Sequence, residues 1–269
     1  MIKKKTGDNR IYETVSAAGA DGPPLRSQLQ ACRTAAEKRH VLHVALADFY
    51  PMVGFFVAYL LWFYAIEHMN RLHYTVIHTA LDDRIPFVPA FVIPYYLWFF
   101  YVAAAVIYLY FKDRETYHRT ASLLSIGMAA FLVVSTLWPN IQYMRPQEFV
   151  QNDLFTRLVQ QIYRADTPSN LCPSIHVYNS IGVAFGILRS RCKTLQKPGI
   201  RIGSIVLSTL ICLSTVFIKQ HSVFDVTWAC IMAAAVYLLC FRWGFTFAGR
   251  YDENGNLITA RKRQRQLIN

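Results

Sequence analysis

Stretches of about twenty mostly apolar residues dominate this chain, the length a helix needs to cross the roughly 30 Å hydrocarbon core of a bilayer. They run at 49–66, 90–111, 120–138, 177–188, 200–218 and 223–245. A backbone in lipid must satisfy its own polar groups, so such runs fold as helices packed on one another. The expectation is an all-α, polytopic membrane protein with about six transmembrane helices, the 177–188 run being marginal in length. Composition agrees: 54% of the 269 residues are hydrophobic and 16% charged, against about 25% charged in ordinary soluble domains.

The chain shows no internal repeat and no linker between soluble domains. It reads as one membrane domain over 48–246, flanked by polar basic tails at 1–47 and 247–269. The first tail carries Lys3, Lys4, Lys5 and a Gly/Pro-rich stretch at 19–24. It lacks the short apolar core of a cleavable signal peptide.

The net charge of +12 invites a nucleic-acid reading, but its distribution opposes one. Eight Lys/Arg lie in the N-terminal tail, three at Lys112, Arg114 and Arg119, five within 189–201, and six from Arg242 onward. The remaining six are Arg71, Arg84, Arg145, Arg157, Arg164 and Lys219. With an even number of spans, that asymmetry places both termini in the cytoplasm. It puts 139–175 and the turn at 219–222 on the opposite, non-cytoplasmic side. The terminal clusters Lys3–Lys5 and Arg261–Arg263 are read as anchors on anionic lipid headgroups; no nucleic-acid partner is expected. The six cysteines form no Cys-x-x-Cys pair and are read as unpaired packing residues.

Three segments of the non-cytoplasmic side carry chemistry: Arg145-Pro146, Pro173-Ser174-Ile175-His176, and Ser214-Thr215 followed by Lys219-Gln220-His221 and Asp225. His221 and Asp225 are four apart, the spacing of one helix face. A carboxylate within a membrane segment needs a partner. His221 supplies one, leaving its other ring nitrogen free to attack an electrophile. Pro173 and Ser174 suit a helix start, whose free N–H groups favour an anion. His176 beside that anion is placed for general acid–base work. Arg145 and Lys219 add positive charge where a transferring phosphoryl group needs it. Each feature also has a bland reading: a satisfied His–Asp pair, a capped helix with an interfacial histidine, and side chains snorkelling to headgroups.

Together these residues resemble the type 2 phosphatidic acid phosphatase (PAP2) superfamily. Arg145-Pro146 matches the end of its first motif, Pro173-Ser174-Ile175-His176 its second, and Ser214, His221 and Asp225 its third at the right spacing. The resemblance spans roughly 50–245. It implies His221 as nucleophile forming a phosphohistidine, Asp225 as its orienter and His176 as acid/base. Ser174 and Arg145 would hold phosphate oxygens, with Ser214, the matched serine of the third motif, also on the substrate side, and no metal or other cofactor. Lys219, two residues before His221, is read as replacing one of the positive charges the motifs lack here. Two positions depart from the pattern: Trp138 stands where the first motif has lysine, and Thr215 where the third has arginine. The Lys-Gln-His form at 219–221, Asp166 and Asn170 ahead of Cys172, and the run at 82–87 resemble the inositol-phosphorylceramide synthase-like branch.

The expected activity is an integral membrane phosphatase acting on a lipid phosphate. One alternative is a phosphotransferase with a lipid or polyol hydroxyl as acceptor. Others are a catalytically silent lipid-binding protein and a metal-dependent hydrolase ligated by His176, His221 and Asp225. His68, His73 and His78, at five-residue spacing, are not read as a metal site. The aromatic group Tyr95-Tyr96-Leu97-Trp98 is read as an interfacial belt.

Overall fold

A computed structural model describes residues 50–69, 73–149, 153–247, 250–251 and 257–258. The basic clusters at Lys3–Lys5 and Arg261–Arg263, and the N-terminal tail as a whole, lie outside the described residues. Seven α-helices occur among the described residues: α1 (Tyr50–Glu67), α2 (Val92–Lys112), α3 (Arg114–Leu137), α4 (Leu154–Ala165), α5 (Ile175–Arg189), α6 (Pro198–Phe217) and α7 (Val223–Tyr237). A 3-10 turn at Pro89–Phe91 leads into α2, and a π-turn at Leu238–Arg242 continues α7. Short strands β1 (Thr75–Val76) and β2 (Asn140–Ile141) pair in parallel. Strands β3 (Arg250–Tyr251) and β4 (Leu257–Ile258) pair antiparallel.

Five of these segments are long and apolar enough to cross a membrane: Tyr50–Glu67, Pro89–Lys112, Arg114–Leu137, Pro198–Phe217 and Val223–Arg242. Their outward side chains stay apolar, with Phe100 68% and Leu137 79% exposed. Such faces suit lipid, as expected of a multi-span membrane protein. The sixth expected span differs. It is α5, 15 residues long, about 22 Å at 1.5 Å per residue, and short of spanning length by itself. It forms the centre of the bundle, packed on α2, α3, α6 and α7.

Small residues let α5 approach α3. A Cβ on Gly127 of α3 would come 1.9 Å from the Tyr178 ring, and one on Gly186 of α5 would come 2.4 Å from the Thr120 hydroxyl. The Tyr178 hydroxyl reaches past Gly127 to donate to the Leu123 carbonyl at 2.7 Å. At the far end Asp113 caps α3 by accepting from Thr116 N. It also accepts from the Ser190 hydroxyl and Arg191 N, which ties the α2–α3 hinge to the end of α5. That cap starts α3 six residues before the apolar run does.

The other end, where α1 and α3 finish and α5 and α7 begin, is covered by irregular chain. Asn140, fully buried, accepts through its side chain from Leu171 N and Cys172 N, and its carbonyl accepts from Asn170 N. Helix α4 falls within 139–175, between the apolar runs. Asp153 caps it, and it buries Val159 and Ile162 against Val92, Tyr95 and Ile218.

Candidate active site

Helix α6 ends in a Schellman turn. Lys219 takes a left-handed φ of 54°, Lys219 N donates to Val216 O, and Gln220 N to Thr215 O. This geometry usually falls to glycine. His221 follows within the turn, and Ser222 caps α7. The Ser222 hydroxyl oxygen accepts from Phe224 N, and the carboxylate of Asp225, third residue of α7, accepts from Ser222 N at 3.0 Å, completing a capping box. The same carboxylate oxygen lies 3.3 Å from His221 Nδ1. The four-residue spacing therefore works through a cap rather than one helix face: His221 stands outside the helix and Asp225 inside it. Asp225 is fully buried, and its Oδ1 has no hydrogen-bond partner.

His176 sits one residue into α5. Ser174 is the N-cap, its hydroxyl accepting from Val177 N at 3.4 Å, and Ser174 N donates to the Asp225 carbonyl at 3.3 Å. That bond joins the two helix starts and brings the histidine rings to 5.8 Å between centroids. Tyr95 stacks on the His176 ring at 4.5 Å, and Trp98 lies against it at 4.4 Å. The Trp98 indole nitrogen is buried without a partner.

The cations are engaged elsewhere. Arg145 donates to the Tyr163, Asp166 and Thr167 carbonyls and to Gln220 Oε1, capping the C-terminus of α4 with its guanidinium 4.6 Å over the Tyr163 ring. Its Nε is buried and unpaired. Burial lowers the Arg145 pKa, while Asp166, Tyr163 and Tyr95 pull the other way. The Gln220 side chain links Arg145 to Asp166 and Tyr95, its amide nitrogen 3.4 Å from Asp166 Oδ2 and 3.5 Å from the hydroxyl of Tyr95. Burial raises the Asp166 pKa above the usual carboxylate range against the opposing charges of His221 and Arg145. The Lys219 ammonium turns to the segment 79–85, donating to the Asp82 and Ile85 carbonyls at 2.8 and 2.5 Å. Burial lowers its pKa, opposed by Asp82 and Asp83. The Ser214 hydroxyl donates back to the Ile211 carbonyl of its own helix.

His176, His221, Asp225 and Ser174 thus come together at two joined helix starts, while Arg145 is bonded to Gln220, whose amide reaches Tyr95, the ring stacked on His176. Neither Lys219 nor Ser214 directs its polar group to the histidines. Tyr95 and Trp98 line the site instead of belonging to an interfacial belt, whereas their neighbours Tyr96 and Leu97 are exposed. The signal for that split is helical: 95 and 98 are three apart and share a face. His68 and His78 pair separately, His68 with the Tyr64 carbonyl and His78 with Asp83. Among the described residues, no group of three or more His, Cys, Asp or Glu side chains is disposed to hold a metal ion. No family model, curated protein or solved structure matches the chain.

Proposed function

We propose that the protein is an integral membrane lipid phosphate phosphatase of the PAP2 type, working through a phosphohistidine. The observation that carries this reading is the pair of histidine rings 5.8 Å apart at two joined helix starts, one backed by a buried carboxylate. In this reading α5 completes a six-helix bundle, both termini are cytoplasmic, and the site faces the non-cytoplasmic side. The lipid chains lie against the apolar helix faces and the phosphate enters between the rings.

Asp225 accepts a hydrogen bond from His221 Nδ1–H, which keeps the proton on Nδ1 and leaves the Nε2 lone pair to attack phosphorus. The P–O bond to the lipid breaks, and His176 gives its proton to the departing oxygen. Water then attacks the phosphohistidine while His176 takes a proton from it, releasing phosphate and restoring His221. Charge on the phosphoryl oxygens meets the first-turn N–H groups of α5 and the Trp98 indole N–H, and Arg145 contributes its positive charge from behind Gln220.

A second reading, transfer to a lipid or polyol hydroxyl in place of water, draws on one feature. An open pocket of about 440 Å³ adjoins the His221 turn, lined by Val76, His78, Asp83, Tyr143, Lys219 and neighbours, with room for an acceptor.

The test is phosphate release from labelled lipid phosphates by purified protein in a chelator, with His221→Ala in parallel. Release that survives chelation and is lost in the variant supports the phosphatase. Preferential transfer of label to an added alcohol supports the second reading. Chelator-sensitive release contradicts the metal-free mechanism, and no turnover on any lipid phosphate moves the reading to a silent lipid-binding protein.

A further inference from the structure

The segment 79–85 takes no part in the mechanism above, yet it grips the chain on both sides of the proposed nucleophile. Asp82 is 3% exposed. Its Oδ2 accepts from Thr79 N at 2.7 Å, the Thr79 hydroxyl at 2.8 Å and the Ser222 hydroxyl at 2.6 Å. Its Oδ1 accepts from Val223 N at 2.8 Å, so the carboxylate is also an anion at the N-terminus of α7. The backbone carbonyl of the same residue receives the Lys219 ammonium, and Ile85 O receives it too. Position 219 and positions 222–223 are therefore fastened to one loop, with His221 between them.

Lys219 strengthens this account. A left-handed residue closing a helix is best a glycine, and lysine there carries strain. The ammonium offsets the strain by reaching two carbonyls, contacts that a glycine here could not make. We propose that Asp82, with Lys219, is a positioning residue for His221: the clasp holds the turn so that Nδ1 stays on Asp225 and Nε2 faces the substrate. Its consequence for turnover rests on the phosphohistidine reading; the clasp itself does not.

Asp82→Asn is the sharpest probe. The amide puts an NH2 group either where the Thr79 and Ser222 donors converge or against Val223 N–H, so one orientation loses three acceptances and the other loses one. Lys219→Gly is its complement, relieving the left-handed strain while deleting the ammonium.

The full-length protein in detergent micelles is given radiolabelled phosphatidic acid in a single turnover, and phosphoenzyme formation is timed. Backbone amide exchange across 219–226 is measured in the same samples without substrate. Asp82→Asn is expected to slow phosphorylation by about tenfold or more, as for a nucleophile misplaced by a fraction of an ångström. The substrate concentration for half-maximal rate stays within about twofold, and exchange at Ser222 and Val223 quickens. Lys219→Gly is expected to slow phosphorylation with no fall in melting temperature, an outcome that a purely structural lysine does not produce. Wild-type exchange at Ser222 and Val223 in Asp82→Asn, or wild-type phosphorylation rates in both variants, overturns the proposal. If the wild-type protein forms no phosphoenzyme, the phosphohistidine reading falls, and amide exchange alone decides the clasp.

Discussion

At the residue scale, the demands on Asp225 and Asp82 differ although both cap the same helix. Asp225 serves the ring: Asp225→Asn keeps its volume and leaves His221 Nδ1 without a charged acceptor. We expect turnover to fall by about 10²–10⁴-fold with little change in KM, measured by steady-state kinetics on a lipid phosphate. Asp82 serves the turn that carries the ring. Burial works to raise its pKa, but the hydrogen bonds from Ser222, Val223 and Thr79 outweigh it and hold the carboxyl below the usual range. Because the folded pKa is depressed, its stabilisation is present above the unfolded value near pH 4 and is lost as pH falls through the folded pKa. Thermal melts in detergent between about pH 3 and 6 should therefore show an acid-side loss that is smaller in Asp82→Asn. His176, His221 and Asp225 stood out as candidates because each lies in a short local pattern, Pro173-Ser174-Ile175-His176 and His221 four before Asp225, although 45 residues separate the two histidines. Tyr95, Trp98 and Gln220 did not stand out, since aromatic residues in an apolar run look alike whether they face lipid or a histidine. Which face is inward is decided by α5, whose partners the sequence does not name.

At the scale of elements, length and composition made legible the five helices long and apolar enough to cross a membrane, with ends within a few residues except where Asp113 extends α3. Helix α5 is too short for that criterion and is recognised by its neighbours instead: its glycines and Ser180 make it narrow enough to be surrounded. Gly127→Ala should test this directly. The added methyl meets the Tyr178 ring at 1.9 Å, and overpacking of that kind costs about 1–3 kcal/mol, read as a lowered melting temperature. At the start of α7, Ser222→Ala removes both a cap and a donor to Asp82. A cost of about 1–2 kcal/mol is expected, together with faster exchange at Phe224. Helix α4 escaped sequence reading because its 12 residues are amphipathic rather than apolar, and a search for spans passes over them.

At the scale of the molecule, helix directions alternate so that the histidines, the β1–β2 pair and α4 share one end, while Asp113, Glu115, Arg119 and Arg191 share the other. Arg119 and Arg191 both pair with Glu115 there. The sequence reaches the same division through its charges alone. If both termini are cytoplasmic, a cysteine placed at Gln147 in a variant without accessible native cysteines reacts with a membrane-impermeant maleimide added outside intact cells. One placed at Lys193 reacts only after permeabilisation. The reverse pattern would invert the proposed orientation and leave the site facing the cytoplasm.

The central claim is that phosphorus is carried on His221. Rapid quenching of the protein with a radiolabelled lipid phosphate, followed by peptide mapping under alkaline conditions, tests it most directly. The account predicts acid-labile label on the peptide containing His221, and none in His221→Ala. Label on another residue, or phosphate release with no labelled intermediate, would contradict it.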